Sequence, residues 1–259
     1  MRRAIYVWMI ALATVAARGF GLSADDPDLV GLWLFDDGKG DQVTDSSKNT
    51  NHAKFNGKFD WMDGKFGKGV LSSTGSIDVP TSDSINAISD AVSVAGWFRV
   101  DADSDTGIRR QNAFLLEDQS ASEPVPHGWS FRIWTSNGLS PGIYGKTQVK
   151  QKEWTHIAGV WDGAAMKLYI NGAAEKELLT AGAQATDGKW GGKIGKPGDM
   201  LQLKYGSETY VGGMDEIVIF KRALSEAEVK ALAKGWSAAL AVGPKGRLPA
   251  LWGSLKRRD

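Results

Sequence analysis

Apolar and polar residues alternate with a period of two along most of this chain. In "WSFRIW", Trp129, Phe131 and Ile133 alternate with Ser130, Arg132 and Trp134; in "MKLYIN", Met166, Leu168 and Ile170 alternate with Lys167, Tyr169 and Asn171. That period belongs to strands with one buried face. Asn171-Gly172 follows directly and predicts a type I′ hairpin turn. "AVSVAGWFRV" and "WTHIAGVWDG" are apolar on both faces, as central strands of a larger sheet are. "VGLWLFD", "GVLSS", "SIDV", "NAFLLE", "WGGKIG" and "EIVIF" complete a set of short strands separated by turn residues. Around a dozen such strands predict two packed antiparallel sheets, an all-β sandwich or jelly roll.

The period changes once, late in the chain. Ser225 and Glu228 form a capping-box pair, and Leu224 and Val229 stand where a hydrophobic staple would. Val229, Leu232, Ala233 and Trp236 then make one apolar stripe. This predicts a single short C-terminal helix that packs on the sandwich and stops near Gly235. Residues 237–259, with their prolines, glycines and basic end, read as an extended tail pinned by Leu251 and Trp252.

Composition narrows the classes. The 31 basic and 30 acidic residues give a formal charge of +1, so no global field favours nucleic acid or an anionic membrane. There is no cysteine, which excludes disulfides, thiolate metal sites and a lipid on an N-terminal cysteine. Arg2 and Arg3, the uncharged run from Ala4 to Ala17 and the small residues before Asp25 have the layout of a secretory signal peptide, residues 1–24, with cleavage after Ala24 or Ala17. The run is short against the roughly 20 residues of a spanning helix. The expectation is a secreted protein, whether extracellular, on the cell surface or periplasmic, with no stable membrane insertion and a main domain over 25–236.

Five phrases in order, "LVGLWLFDDGKGDQVTDSSKNTNHAKF", "GKFGKGVLSSTGSIDVP", "AVSVAGWFRV", "EWTHIAGVWDGAAMKLYINGA" and "GGMDEIVIFKRALSEAEVKAL", resemble the laminin-G-like, concanavalin A-like jelly-roll domains of secreted bacterial proteins over about Leu29 to Gly235. The resemblance implies a structural calcium ion near the meeting point of the first and last strands. Asp215 would supply the side-chain ligand, Phe35 or Asp36 and Gly75 backbone carbonyls, and the loop "DSSKNTNHA" Asp45 or Asn51. Hard oxygen donors suit calcium. Thr74 stands where an acidic residue often precedes the glycine. The other reading of Asp215 is a carboxylate capping loop N–H groups as the chain enters the strand. Glu216 is expected on the opposite face, solvated or paired with a base.

The sandwich hosts binding modules and enzymes alike. Glycosidases need two carboxyl groups about 5–10 Å apart, and those on this sandwich usually carry them as E-x-D-x-E along one strand. That run is missing here, and "DADSD" at Asp101, Asp103 and Asp105 reads as a solvated loop. His156 reads as a packed sheet residue, while His52 and His127 lie in loops. "GKFGKG" and "GGKIGKPG" read as turns. Trp33, Trp97, Trp154 and Trp161 are expected in packed strands. Arg132, Trp134, Tyr144 and Trp190 are the candidate ligand residues, because a glycan site needs aromatic faces beside polar groups; scattered edge packing is the competing account of each. The expected function is a non-catalytic carbohydrate-binding or adhesion module with a glycan or extracellular protein as ligand. The alternatives are a glycoside hydrolase or polysaccharide lyase of the same sandwich, and a structural surface protein.

Overall fold

The computed structural model describes residues 22–102, 107–119, 128–137, 142–175, 178–181, 192–204 and 212–240. The strands are β1 (Leu29–Trp33), β2 (Gln42–Val43), β3 (Ala53–Asp63), β4 (Lys68–Val79), β5 (Val92–Val100), β6 (Gly107–Arg110), β7 (Phe114–Asp118) and β8 (Trp129–Ile133). They continue as β9 (Gly142–Gly145), β10 (Thr155–Trp161), β11 (Met166–Ile170), β12 (Ala173–Ala174), β13 (Leu178–Ala181), β14 (Leu201–Lys204) and β15 (Gly212–Phe220). The described residues also form three short helices, α1 (Asp83–Asn86), α2 (Glu226–Leu232) and α3 (Trp236–Leu240).

Among the described residues all pairings are antiparallel, and twelve strands form one hydrogen-bonded path, β12-β11-β10-β5-β15-β4-β14-β6-β7-β8-β9-β13, from which β1 branches on β15 and β3, with β2, on β4. The path folds over on itself at β4. The first half of β4 pairs with β15, as Val70 opposite Met214, and its second half pairs with β14, as Val79 opposite Leu201. Between the halves Gly75 faces Gly57 of β3, both at positive φ, and a Cβ on Gly57 would come within 2.3 Å of the Thr74 carbonyl. Only glycine tolerates such a crease in both strands of a ladder. Beyond it the two halves of the path stack, and the Phe98 ring of β5 meets the Trp129 ring of β8 at 4.6 Å.

The core between the halves holds Trp33, Phe98, Phe114, Trp129, Phe131 and Trp161. A second apolar cluster lies outside the first sheet, where Ala158, Val160, Val218 and Phe220 are covered by Val229 and Leu232 of α2 and Trp236 and Ala239 of α3. Ser225 and Glu228 close the predicted capping box, and Asn171 and Gly172 both take positive φ in the predicted hairpin.

Several expectations change. "GVLSS" and "SIDV" are one strand, β4, and β3 is a long strand without a clear apolar alternation in the sequence. The helix breaks at Gly235, whose φ is +95°, so Trp236 opens α3 rather than closing α2. Residues 237–240 are therefore helical, with Ala239 buried, and not part of an extended tail. Of "WGGKIG", the described part makes only an isolated bridge, Ile194 to Thr135. Leu251 and Trp252 lie outside the described residues, as do Asp103, Asp105 and His127.

Candidate functional site

Strands β6 to β9 and β14 turn alternate residues outward, because Ile108, Leu116, Phe131, Ile133 and Leu201 are drawn into the core. Cross-strand register then sets a row of outward positions on neighbouring strands: Asp78, Gln202, Arg109, Leu115, Arg132 and Gly142. The row is knitted by polar contacts. Gln202 Nε2 donates to Asp78 Oδ1 at 2.8 Å, and Arg109 Nη2 donates to Gln202 Oε1 at 3.1 Å.

At the β8–β9 end, Arg132 Nη2 donates to Tyr144 Oη at 2.6 Å, and the guanidinium lies 5.9 Å from the centre of the Trp134 ring. All three side chains are half-buried. Three of the four predicted ligand residues are thus brought together, and Trp190 lies outside the described residues. Arg132 faces Gly142 directly across the ladder, so its contact from β9 comes from Tyr144, two residues along. At the other end the row opens into a cleft of about 510 Å³ whose lining includes Lys54, Asn56, Asp78, Pro80, Thr81 and Met200. Met200 is the exposed large hydrophobic among the described residues. An apolar floor with ring faces and fixed polar groups is what a sugar-binding surface requires.

The predicted ion site divides. Asp215 sits on the outer face of β15, fully buried, and its Oδ2 accepts the Phe66 N–H at 2.8 Å. It does cap a loop N–H, while Oδ1 is buried with no hydrogen-bond partner. Asp36 Oδ1 accepts the Lys68 N–H at 2.8 Å. Both amides belong to the tight turn between β3 and β4, closed by Gly64 N–H donating to the Gly67 carbonyl. A Cβ on Gly67, at φ +67°, would fall 2.2 Å from Asp36 Oδ1, so "GKFG" is glycine-rich to let carboxylates approach its backbone.

Glu216 is not on the face opposite Asp215 as a regular strand would have it. A bulge between Asp215 and Val218 makes it an extra residue at φ +46°, half-buried, with Oε2 accepting the Trp236 N–H that opens α3. Burial pushes Asp215 up to about 8, with the Phe66 N–H opposing, the Glu216 charge adding and the Glu216 backbone N–H opposing; burial also pushes Glu216 up to about 7. Asp36 is raised by partial burial and by Asp37. No cation among the described residues pairs with these three acids. Lys65 lies over the Trp97 ring and Lys68 pairs with Asp63.

Gly75 and Asn51 are elsewhere. Gly75 stands five residues beyond Val70 along β4, roughly 16 Å from the Asp215 end at strand rise, and its carbonyl accepts from the buried Lys204 ammonium. The Asn51 amide donates to the Val30 carbonyl and Ser84 Oγ, each at 2.8 Å, and Asp45 accepts from Leu32 N–H, Ser47 N–H and Oγ, and Asn51 N–H. This loop is a hydrogen-bonded knot, its carboxylate already occupied by N–H and O–H donors. Phe35 stays beside Asp36, its ring buried and its φ at +54°. No three Asp, Glu or His side chains among the described residues are grouped closely enough to hold a metal by themselves.

Of the remaining candidates, Trp33 and Trp161 are in the core, and His156 is a buried sheet residue, 5.5 Å from the Trp97 ring and driven down to about 3 by burial. Trp97 points away from the core toward Phe66, and Trp154 is half-buried under Arg99. Asp101 pairs with Arg99.

A family model described as the concanavalin A-like lectin/glucanases superfamily matches residues 71–230. No match was found among curated proteins. The fold is similar to the binding domain of Paraclostridial Mosquitocidal Protein 1, with TM-score 0.63 and 18% identity over 81% of this chain and 52% of that one. It is similar to domain 4 of AbnA, a GH43 extracellular arabinanase from Geobacillus stearothermophilus solved with arabinotriose, with TM-score 0.60 and 19% identity over 80% of this chain and 98% of that one. A third is the binding domain of botulinum neurotoxin DC in complex with SialylT, with TM-score 0.60 and 14% identity over 82% of this chain and 52% of that one. The chain thus spans about half the length of the toxin binding domains, and at these identities the likeness is one of fold.

Proposed function

Because the chain belongs to the concanavalin A-like lectin/glucanases superfamily, we propose that it is a secreted, non-catalytic glycan-binding module. The observation that carries this reading is the convergence of Arg132, Trp134 and Tyr144 on one half-buried outward patch at the end of a polar cross-strand row. Trp134 offers a ring for a sugar face, and Arg132 and Tyr144 offer hydroxyl-directed hydrogen bonds. The arabinotriose-bound arabinanase domain, matched over nearly its whole length, supports a saccharide ligand.

Among the described residues, the carboxylates of this face support binding over hydrolysis. Asp78 on β4 and Glu117 on β7 are separated by three strand spacings, roughly 14 Å, beyond the reach of a glycosidase pair. Affinity measurements on a glycan panel should find a ligand, with Trp134→Ala weakening it at least tenfold at unchanged melting temperature and no reducing ends released. Trp134→Ala binding like the wild type would sink this site, and product release would favour the hydrolase or lyase.

A structural calcium ion is part of the proposal. The partnerless buried Oδ1 of Asp215 and the uncompensated Asp36 and Glu216 fit a hard divalent cation, which Asp215 and Asp36 would hold with carbonyls of the Phe35 segment. The ion would neutralise the acids and tie β1, β15 and the β3–β4 turn together. Export is proposed from the leader. Leu22 is buried in the second cluster, which supports processing after Ala17, where the fold keeps it, over processing after Ala24.

A further inference from the structure

We infer that the glycan is acidic and that Arg132 is the residue that meets its charge; this rests on the glycan reading above. The guanidinium is half-buried, yet no carboxylate among the described residues lies within ion-pair distance of it. Other arginines of the fold are differently placed: Arg99 pairs with Asp101, Arg222 with Asp26 and Glu228, and the buried Arg110 donates to the carbonyls of Ile88 and Lys196. Arg132 makes one hydrogen bond, to the neutral Tyr144 hydroxyl.

The register explains why. The positions directly opposite Arg132 are Leu115 on β7 and Gly142 on β9, neither of which has a side chain that can accept a hydrogen bond or carry a charge. Among the described residues the nearest acid in register is Glu117, opposite Ser130 and therefore on the diagonal, its backbone about 7–8 Å away, and its Oε1 accepts from Ser130 Oγ. A partly desolvated cation without a counter-ion is unfavourable in the free protein and favourable to any ligand that supplies one. The unused donors form a planar fork matched to a carboxylate or sulfate, which an ammonium would not replace. Trp134 lies beside that fork, so the charged group and a sugar ring of one residue can be held together.

The ligand class is thus a glycan bearing carboxylates, as in uronic or sialic acids, or sulfate esters. Calorimetric titration of the full chain tests this with a uronate polymer and its carboxyl-reduced form, and a sulfated polysaccharide and its desulfated form. Expected is at least tenfold tighter binding of one acidic polymer than of its neutralised partner, weakening with added salt; which pair shows it separates carboxylate from sulfate. Arg132→Gln should erase the preference at unchanged melting temperature, and Arg132→Lys should keep only part of it. If acidic and neutralised forms bind equally and Trp134→Ala abolishes both, the acidic inference is overturned while the glycan reading stands. If no glycan binds, both fall.

Discussion

Asp215 shows how a residue can be half legible. Its placement before an apolar strand marked it, and both readings offered for it rest on the same geometry: one oxygen caps the Phe66 N–H and the other is buried without a partner. Strict alternation puts Glu216 on the opposite face, but the strand bulges there, and a bulge is not written in the apolar pattern. The acids carry a pH signature. Asp215 and Glu216 are raised from ordinary carboxylate values to about 8 and about 7, so their contribution to stability is full below about pH 4 and is lost as pH climbs through those values. In chelator, the melting temperature of the wild type should fall relative to Asp215→Asn between pH 4 and 8; parallel curves would refute it. Millimolar calcium should raise the wild-type melting temperature toward pH 8, because the ion binds the ionised form, and Asp215→Asn should remove that rise.

At the scale of elements, the capping box, the I′ hairpin and the strands through "WSFRIW" and "MKLYIN" were legible because each is encoded within a few residues. Ser225→Ala should cost about 1 kcal/mol in chemical denaturation, since Ser225 Oγ accepts the Glu228 N–H and the Glu228 carboxylate accepts the Ser225 N–H. β3 was missed although Phe55, Phe59 and Trp61 alternate in it: Gly57 interrupts the run, and the lysines, aspartates and asparagine between read as loop. The crease depends on that same glycine. Gly57→Ala should destabilise by more than the roughly 1 kcal/mol of an ordinary strained glycine replacement, because its Cβ meets backbone that cannot yield. A change below about 0.5 kcal/mol would mean that the ladder relaxes there.

For the whole molecule, the sandwich could be read from the period of two and the order of its phrases, but the ion-ligand set could not. Gly75 and Asn51 were joined to Asp215 by analogy of sequence position, whereas strand pairing separates them. Leu22 bears on where the mature chain begins. A protein starting at Arg18 should be about 1.5–3 kcal/mol more stable than one starting at Asp25, from the burial of that one side chain; equal denaturation midpoints would remove the argument for processing after Ala17.

The creased path also decides how this molecule meets others. Because β4 carries the ladder from one sheet into the other, the sandwich has a closed spine, and the two ends of the path are the two-residue β12 and the four-residue β13. The long strand on its flank, β3, sets Lys58 and Asp60 among exposed positions, charges that discourage another strand from adding to it. Among the described residues, path ends so short and a flank so charged offer little template for aggregation, and leave recognition to the faces of the sandwich.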